Sequence, residues 1–353
     1  MQVFKLITAN RQTVVILMSL CLGIMGVKLT GCQSPALPQL DFTGPTMGTY
    51  YAVTLIDPPE SLDATVIQTA ITTILQTVIN EISTYEPNSE LSRLNHNPST
   101  DWLPISLQLY TILAEGQRLA AITDGAFDIT IGPLVNLWGF GPDKQTRQIP
   151  NAEQIAFAKA RVGWKKLTLQ QSPPMVRKAR PDVFIDLSAL GEGVGADRLA
   201  EWFNQHGIQH YLIAVAGALR VRGHNAHGQP WRIAIEAPIA NQRDVHRMIP
   251  MTNCAVATSG DYRNFFEQAG QHYSHEINPV TGQPVNRRLG SVTVIGDVGM
   301  TVDGWATALM VLGEQRGLAI AEAQKIAAYF IIRDEQNQLR GRATTAFNQR
   351  IAQ

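Results

Sequence analysis

Asp303 and Thr307 stand four residues apart in Met300-Thr-Val-Asp-Gly-Trp-Ala-Thr-Ala-Leu309. On a helix, that spacing puts both side chains on one face, a turn from each other. A carboxylate and a hydroxyl are hard oxygen donors, suited to Mg²⁺ and poor for zinc or copper. Mg²⁺ takes one or two protein oxygens and fills its octahedron with water and substrate phosphates. The same pair also suits plain capping, with Asp favouring the helix dipole and Thr bonding back to a carbonyl. No HExxH or CxxC pattern offers a competing metal site.

A second candidate is Asp186-Leu-Ser-Ala-Leu-Gly-Glu-Gly-Val-Gly-Ala-Asp197, which follows the apolar Val183-Phe-Ile185. The pattern predicts a strand, a tight glycine-rich turn and then a helix. Glycines let a ligand approach the backbone, and a helix N-terminus offers N–H groups to phosphate. Yet this run carries Asp186 and Glu192 and no lysine. Carboxylates beside a phosphate require a cation between them, so the run reads as a metal-assisted nucleotide site and not a P-loop.

His275, in Tyr273-Ser-His-Glu-Ile-Asn-Pro-Val-Thr-Gly-Gln-Pro284, stands on a short strand entering a turn. There it can move a proton near neutral pH or simply bond a loop. Ala126-Phe127-Asp128 reads equally as a ligand-lining loop or a packing corner. Tyr85, in Ser83-Thr-Tyr-Glu-Pro, could stack on a ring or close the core. Met47, in Pro45-Thr-Met-Gly-Thr49, could cover a flat aromatic ligand or fill a gap.

Elements must hold these residues. Apolar residues at Val66, Ile67, Ala70, Ile71, Ile74, Leu75, Val78 and Ile82 keep helical spacing, with Ser61 or Asp63 as cap. Further helices are expected at 106–122, 151–160, 196–205, 300–312 and 314–325. Strands are expected at 50–56, 166–169, 182–187, 211–215, 231–236, 254–258, 291–295 and 328–332. Mixed elements without regular βαβ repetition predict an α+β fold, one compact domain around a mixed or antiparallel sheet flanked by helices. The length would allow two lobes.

The first 31 residues read as an export signal: Lys5 and Arg11, an apolar run over 13–27, then Leu29-Thr-Gly-Cys32. That ending looks like a lipoprotein lipobox, with Cys32 as the lipidated first residue and 32–42 as a linker. An uncleaved membrane anchor is the other reading of the run. The expected location is the bacterial cell envelope, lipid-anchored and facing the periplasm. Cys21 leaves with the signal and Cys32 is acylated, so Cys254 alone remains and no internal disulfide can form. Lys+Arg and Asp+Glu both number 29, so no basic field invites nucleic acid.

Taken in order, Pro45–Thr49, Ser83–Tyr85 with Ser89–Ser92, Gly125–Asp128, Asp186–Gly193, Ser274–Pro279 with Thr281-Gly282, and Ser291–Ile295 with Asp303–Thr307 resemble the ApbE family of flavin transferases. The likeness spans residues 43–353. The resemblance implies an ApbE-like α+β domain that moves the FMN half of FAD onto a threonine hydroxyl of an acceptor protein, releasing AMP. It implies Mg²⁺, held by Asp303, Thr307 and the Ala189 carbonyl, with FAD as substrate. Met47, Tyr85, Ala126, Phe127, Asp128, Asp186, Glu192 and Ile277 would line the FAD, with His275 and Asp303 catalytic. The implied partners are threonine-containing subunits of membrane redox complexes. Two positions depart from the family pattern: Ala216 where Gly-Gly is common, and Asn278 where an Asp is common. An Mg²⁺-dependent FAD pyrophosphatase giving FMN and AMP, or a flavin-binding lipoprotein without turnover, would use the same residues.

Overall fold

Alternation with period two decides the main sheet. Along Cys254–Gly260, Cys254 and Val256 join one apolar cluster while Ala255 and Ala257 join another. Along Ala327–Arg333, residues Ala327, Tyr329 and Ile331 face the first cluster, and Ala328, Phe330 and Ile332 the second. A strand buried on both faces reads as an unbroken apolar run, as this one does. The structure, a computed structural model, describes residues 36–142, 147–285 and 288–352. The signal segment and Cys32 lie outside the described residues.

The sheet has eight strands: Gln39–Thr46, Thr49–Ile56, His210–Val215, Ala218–Arg222, Cys254–Gly260, Leu289–Gly296, Ala327–Arg333 and Leu339–Ala343. Their order in space is their order in the chain, and every neighbouring pair is antiparallel. Helices cover one face. Ala64–Ile82 is capped by Asp63, which accepts from Thr65 N at 2.6 Å. Leu107–Ile122 is capped by Ser106, which accepts from Leu109 N at 3.0 Å. Beside them lie the two helices that matter most here, Ser188–Gln205 and Gly299–Ala323. The hairpin Trp231–Glu236/Val245–Met251 and the short helix Thr345–Ile351 cover the other face. This is the antiparallel α+β architecture the residue patterns predict.

Two expectations are corrected. Residues 182–187 form no strand. No strand pairs with it; a side chain does, as Asn95 accepts from Ile185 N and donates to Ile185 O, both at 2.8 Å. Asp186 N donates to Ile129 O at 2.8 Å. The glycine-rich run is not a turn either, because helix begins at Ser188 and passes straight through it. Its glycines serve close helix packing. A Cβ on Gly193 would collide with the Gly299 carbonyl, and one on Gly299 would come within 2.7 Å of Gly193 O. The two helices expected at 300–312 and 314–325 are both present, as the halves of Gly299–Ala323 that meet at a kink at Gly313, whose φ is 75°.

Because backbone meets backbone at this crossing, Gly193→Ala must push the two helices apart. We expect a loss of about 1–3 kcal/mol of stability, the usual cost of overpacking, measured by denaturant unfolding. Unchanged stability would show that the crossing can relax freely.

Candidate active site

The Gly299–Ala323 helix starts at Val298 without a side-chain cap of its own. Asp197, from the neighbouring helix, takes its free N–H groups, accepting from Gly299 N at 2.8 Å and Met300 N at 2.9 Å. A carboxylate there gains from both the hydrogen bonds and the dipole. Arg220 Nε lies 3.4 Å from the same carboxylate. One turn on, Asp303 Oδ2 accepts from Gly193 N at 2.9 Å. In a regular helix that N–H would face the Ala189 carbonyl, four residues back. Thr307 follows on the Asp303 face, its Oγ1 3.1 Å from Ser259 Oγ.

Acids gather around Asp303. Its carboxyl, 7 % exposed, is held well above the usual range, first by burial and then by the charges of Glu192, Glu276 and Asp197, against the pull of the Gly193 N–H. Burial also pushes Glu192 up, opposed by Gly217 N, which donates to its Oε2 at 2.7 Å. Glu276 is pushed up to about 8 by burial and by Asp261. Among the described residues, no Lys or Arg forms an ion pair with Asp303 or Glu192. Buried carboxylates without a cation are costly unless something neutralises them. A small divalent ion fits that need. No group of three or more His, Cys, Asp or Glu could hold a metal among the described residues. An ion here would therefore draw on the Ala189 carbonyl, the Thr307 hydroxyl, water and substrate oxygens, the donor set that suits Mg²⁺.

His275 sits between the hairpin Phe265–Gln268/Gln271–Ser274 and the short strand Ile277–Asn278. Its Nδ1 is 3.0 Å from Asn264 O. A carbonyl only accepts, so the imidazole proton belongs on Nδ1 and the Nε2 lone pair is left free. Nε2 lies 3.8 Å from Glu276 Oε1. Burial pushes the imidazole pKa down and Arg147 adds to this, while the Asn264 bond opposes them. The ring is therefore neutral at neutral pH. In that form Nε2 can accept a proton.

The other residues predicted from sequence divide into two sets. Tyr85 is not core. It is 62 % exposed, its hydroxyl donates to Phe140 O at 2.8 Å, and its ring is left open for stacking. Burial first, then the charge of Asp186, raises the Tyr85 phenol pKa, which puts these two in one electrostatic neighbourhood. Asp186 Oδ1 accepts from Ser188 N at 2.9 Å, at the start of the Glu192 helix. Met47, with a φ of 47° in the turn between the first two strands, reaches toward Gly195 of that helix. Residues Ala126–Asp128, in contrast, form a packing corner. Phe127 leans toward Gly304, beside Asp303. Asp128 commits both oxygens to the fold, Oδ1 to Thr130 and Oδ2 to Trp164 N at 2.8 Å. Ile277 is buried among Leu134, Trp138 and Phe140.

Sequence reasoning missed Glu276, Asp197, Ser259 and Asn264. Asp197 ends the glycine-rich run and Glu276 adjoins His275, so proximity to chosen residues was the available signal. The two departures have distinct effects. Ala216 has a φ of 50°, a left-handed conformation that glycine takes freely, in the turn that presents Gly217 N to Glu192. Asn278 Oδ1 accepts from Val280 N at 2.8 Å, an Asx turn that closes the loop after His275.

The profile of the ApbE family matches residues 47–330. The FAD:protein FMN transferase of Vibrio cholerae is 44% identical over 307 residues, 87% of this chain and 91% of its own. That of Escherichia coli K12 is 41% identical over 295 residues, covering 82% and 83%. Among solved structures, the flavin transferase ApbE from Vibrio cholerae superposes with a TM-score of 0.83 at 41% identity, covering 89% of this chain and 99% of that one. The apo Pseudomonas stutzeri flavinyl transferase ApbE gives 0.81 at 36% identity, covering 90% and 98%.

The strained alanine yields a stability prediction. The left-handed penalty of roughly 1–2 kcal/mol for an L-residue outweighs the roughly 0.5–1 kcal/mol of backbone entropy that glycine costs. Ala216→Gly should therefore stabilise the chain by roughly 0.5–1 kcal/mol in denaturant unfolding; destabilisation would contradict this.

Proposed function

Because the chain belongs to the ApbE family, we propose that it transfers the FMN part of FAD to a threonine hydroxyl of an acceptor protein, with release of AMP and dependence on Mg²⁺. The observation that carries this reading is that, among the described residues, buried Asp303 and half-buried Glu192 have no basic ion-pair partner, while Glu276, whose charge acts on Asp303, lies 3.8 Å from His275 Nε2. Asp303, Thr307 and the Ala189 carbonyl would hold the ion. When bound, Mg²⁺ supplies positive charge at the FAD diphosphate and so stabilises departing AMP.

The remaining work belongs to the chain. Tyr85 offers its open face to a ring of the substrate, and Asp186 and Glu192 hold polar positions around the helix start. His275 Nε2 takes the proton of the attacking hydroxyl, a general-base contribution of about 10²–10⁴-fold. A new oxygen–phosphorus bond forms to the FMN phosphorus, and the bond to the AMP oxygen breaks. Atoms balance as FAD plus hydroxyl giving FMN ester plus AMP. Lipidation at Cys32 would tether the enzyme at the envelope membrane beside membrane-bound acceptors.

Three outcomes test this. Asp303→Ala should lower Mg²⁺-dependent flavinylation of a threonine-bearing acceptor by about 10²-fold or more, read by mass spectrometry; transfer at the normal rate refutes the metal assignment. Because His275 acts unprotonated and its pKa is lowered, kcat/KM should rise with pH along an acid limb centred below the ordinary value of 6.5. Finally, Asp303, Glu192 and Glu276 have raised carboxyl pKa values in the folded state. The fold thus favours their protonated forms. Stability of the metal-free protein should fall as pH climbs from the ordinary carboxyl range, 3.8 to 4.5, through about 8. Added Mg²⁺ should raise the melting temperature more at the alkaline end of that window than at the acid end; an equal or reversed effect argues against an ion among these acids.

A further inference from the structure

Arg147 lies far along the chain from His275, yet it bonds twice to the segment Asn264–Phe265 at the start of the hairpin that leads to it. Its Nη1 donates to Phe265 O at 3.0 Å and its Nη2 to Asn264 Oδ1 at 2.9 Å. Its guanidinium carbon stands 4.9 Å over the Phe140 ring. Asn264 in turn offers one carbonyl to His275 twice, accepting from the main-chain N–H and bonding Nδ1, both at 3.0 Å. Phe140 closes the circuit, meeting the imidazole edge-on at 6.3 Å and 64°. Arg147, Asn264, His275 and Phe140 thus form a closed ring of contacts. Phe140 itself is held by the Tyr85 hydroxyl on its carbonyl.

We propose that Arg147 is a positioning residue for His275: by tying Asn264 to the Phe140 segment, it fixes the imidazole with its proton on Nδ1 and its Nε2 lone pair free. This rests on the reading of His275 as the transfer base. The guanidinium suits the task because its planar fork reaches two acceptors while its face lies on an aromatic ring. Lysine, a single point donor, can keep the charge but cannot hold both acceptors in one geometry. The tautomer matters because whatever bonds one ring nitrogen sets which nitrogen stays basic. With Asn264 adrift, the proton is free to move to Nε2, and the base is lost without any change at the ion site.

The test reads His275 directly and needs no substrate. In the full chain labelled with ¹⁵N at histidine, long-range proton–nitrogen spectra at alkaline pH report the tautomer. Wild type should show the proton on Nδ1, and Arg147→Gln should move the population toward the Nε2–H form. Asn264→Ala, which cuts the same link from its other end, should do likewise, and the double variant should be no worse than the more severe single one. In FMN transfer, Arg147→Gln should lower kcat about tenfold to a hundredfold, with KM for FAD within about twofold. Arg147→Lys should recover only part of that loss. An unchanged His275 tautomer in Arg147→Gln overturns the proposal, and so does a loss confined to KM. A tautomer shift in a chain that transfers no FMN would uphold the positioning role and overturn the transferase reading instead.

Discussion

The close crossing of two helices at Gly193 and Gly299 is the constraint on which the site depends. Backbone contact there leaves no room for a side chain, and Asp197 converts the contact into a clamp by capping one helix from the other. Asp303 is thereby carried into a buried position against Gly193 N, where an acid would otherwise be expelled by its desolvation cost. Packing this tight between glycines is what lets an unfavourable group stay put. The fold supplies the energy, and the acid cluster draws on it.

Two electrostatic regimes then meet in a small space. Around Asp303 the carboxylates crowd one another and hold protons more tightly than usual. At His275 the opposite applies, since burial and Arg147 strip the imidazole of its proton. In both places the uncharged form is favoured, the protonated acid at Asp303 and the neutral ring at His275. Such paired displacement is the usual mark of a site that does chemistry.

Much of this was legible from residue types and spacing. The helix at Ala64–Ile82 announces itself through its apolar stripe, and Ser106 and Asn151 mark their helix starts. The strands at 254–260 and 327–333 are readable because both their faces are buried. What failed had non-local causes. Residues 182–187 look like a strand, but the partner that satisfies them is an amide side chain ninety positions away. Glycines at 191–195 suggest a turn by propensity, and tertiary packing makes them helix. Asp303 and Thr307 were visible through helical spacing, whereas Glu276 was not, because nothing local states that a charged residue will be buried. Arg147 was invisible for the same reason. Its partners come from a hairpin more than a hundred residues downstream.

Strands that neighbour in space also follow one another in sequence, but Thr49–Ile56 and His210–Val215 are separated by most of the helical layer. Closing a loop of ~150 residues adds only a logarithmic entropic cost, so the native state tolerates it. Kinetically it is a different matter. Pairing across so long a span must await synthesis of the intervening segment, and contacts of high sequence separation form slowly. The first hairpin therefore keeps an unpaired edge until His210–Val215 arrives beside it.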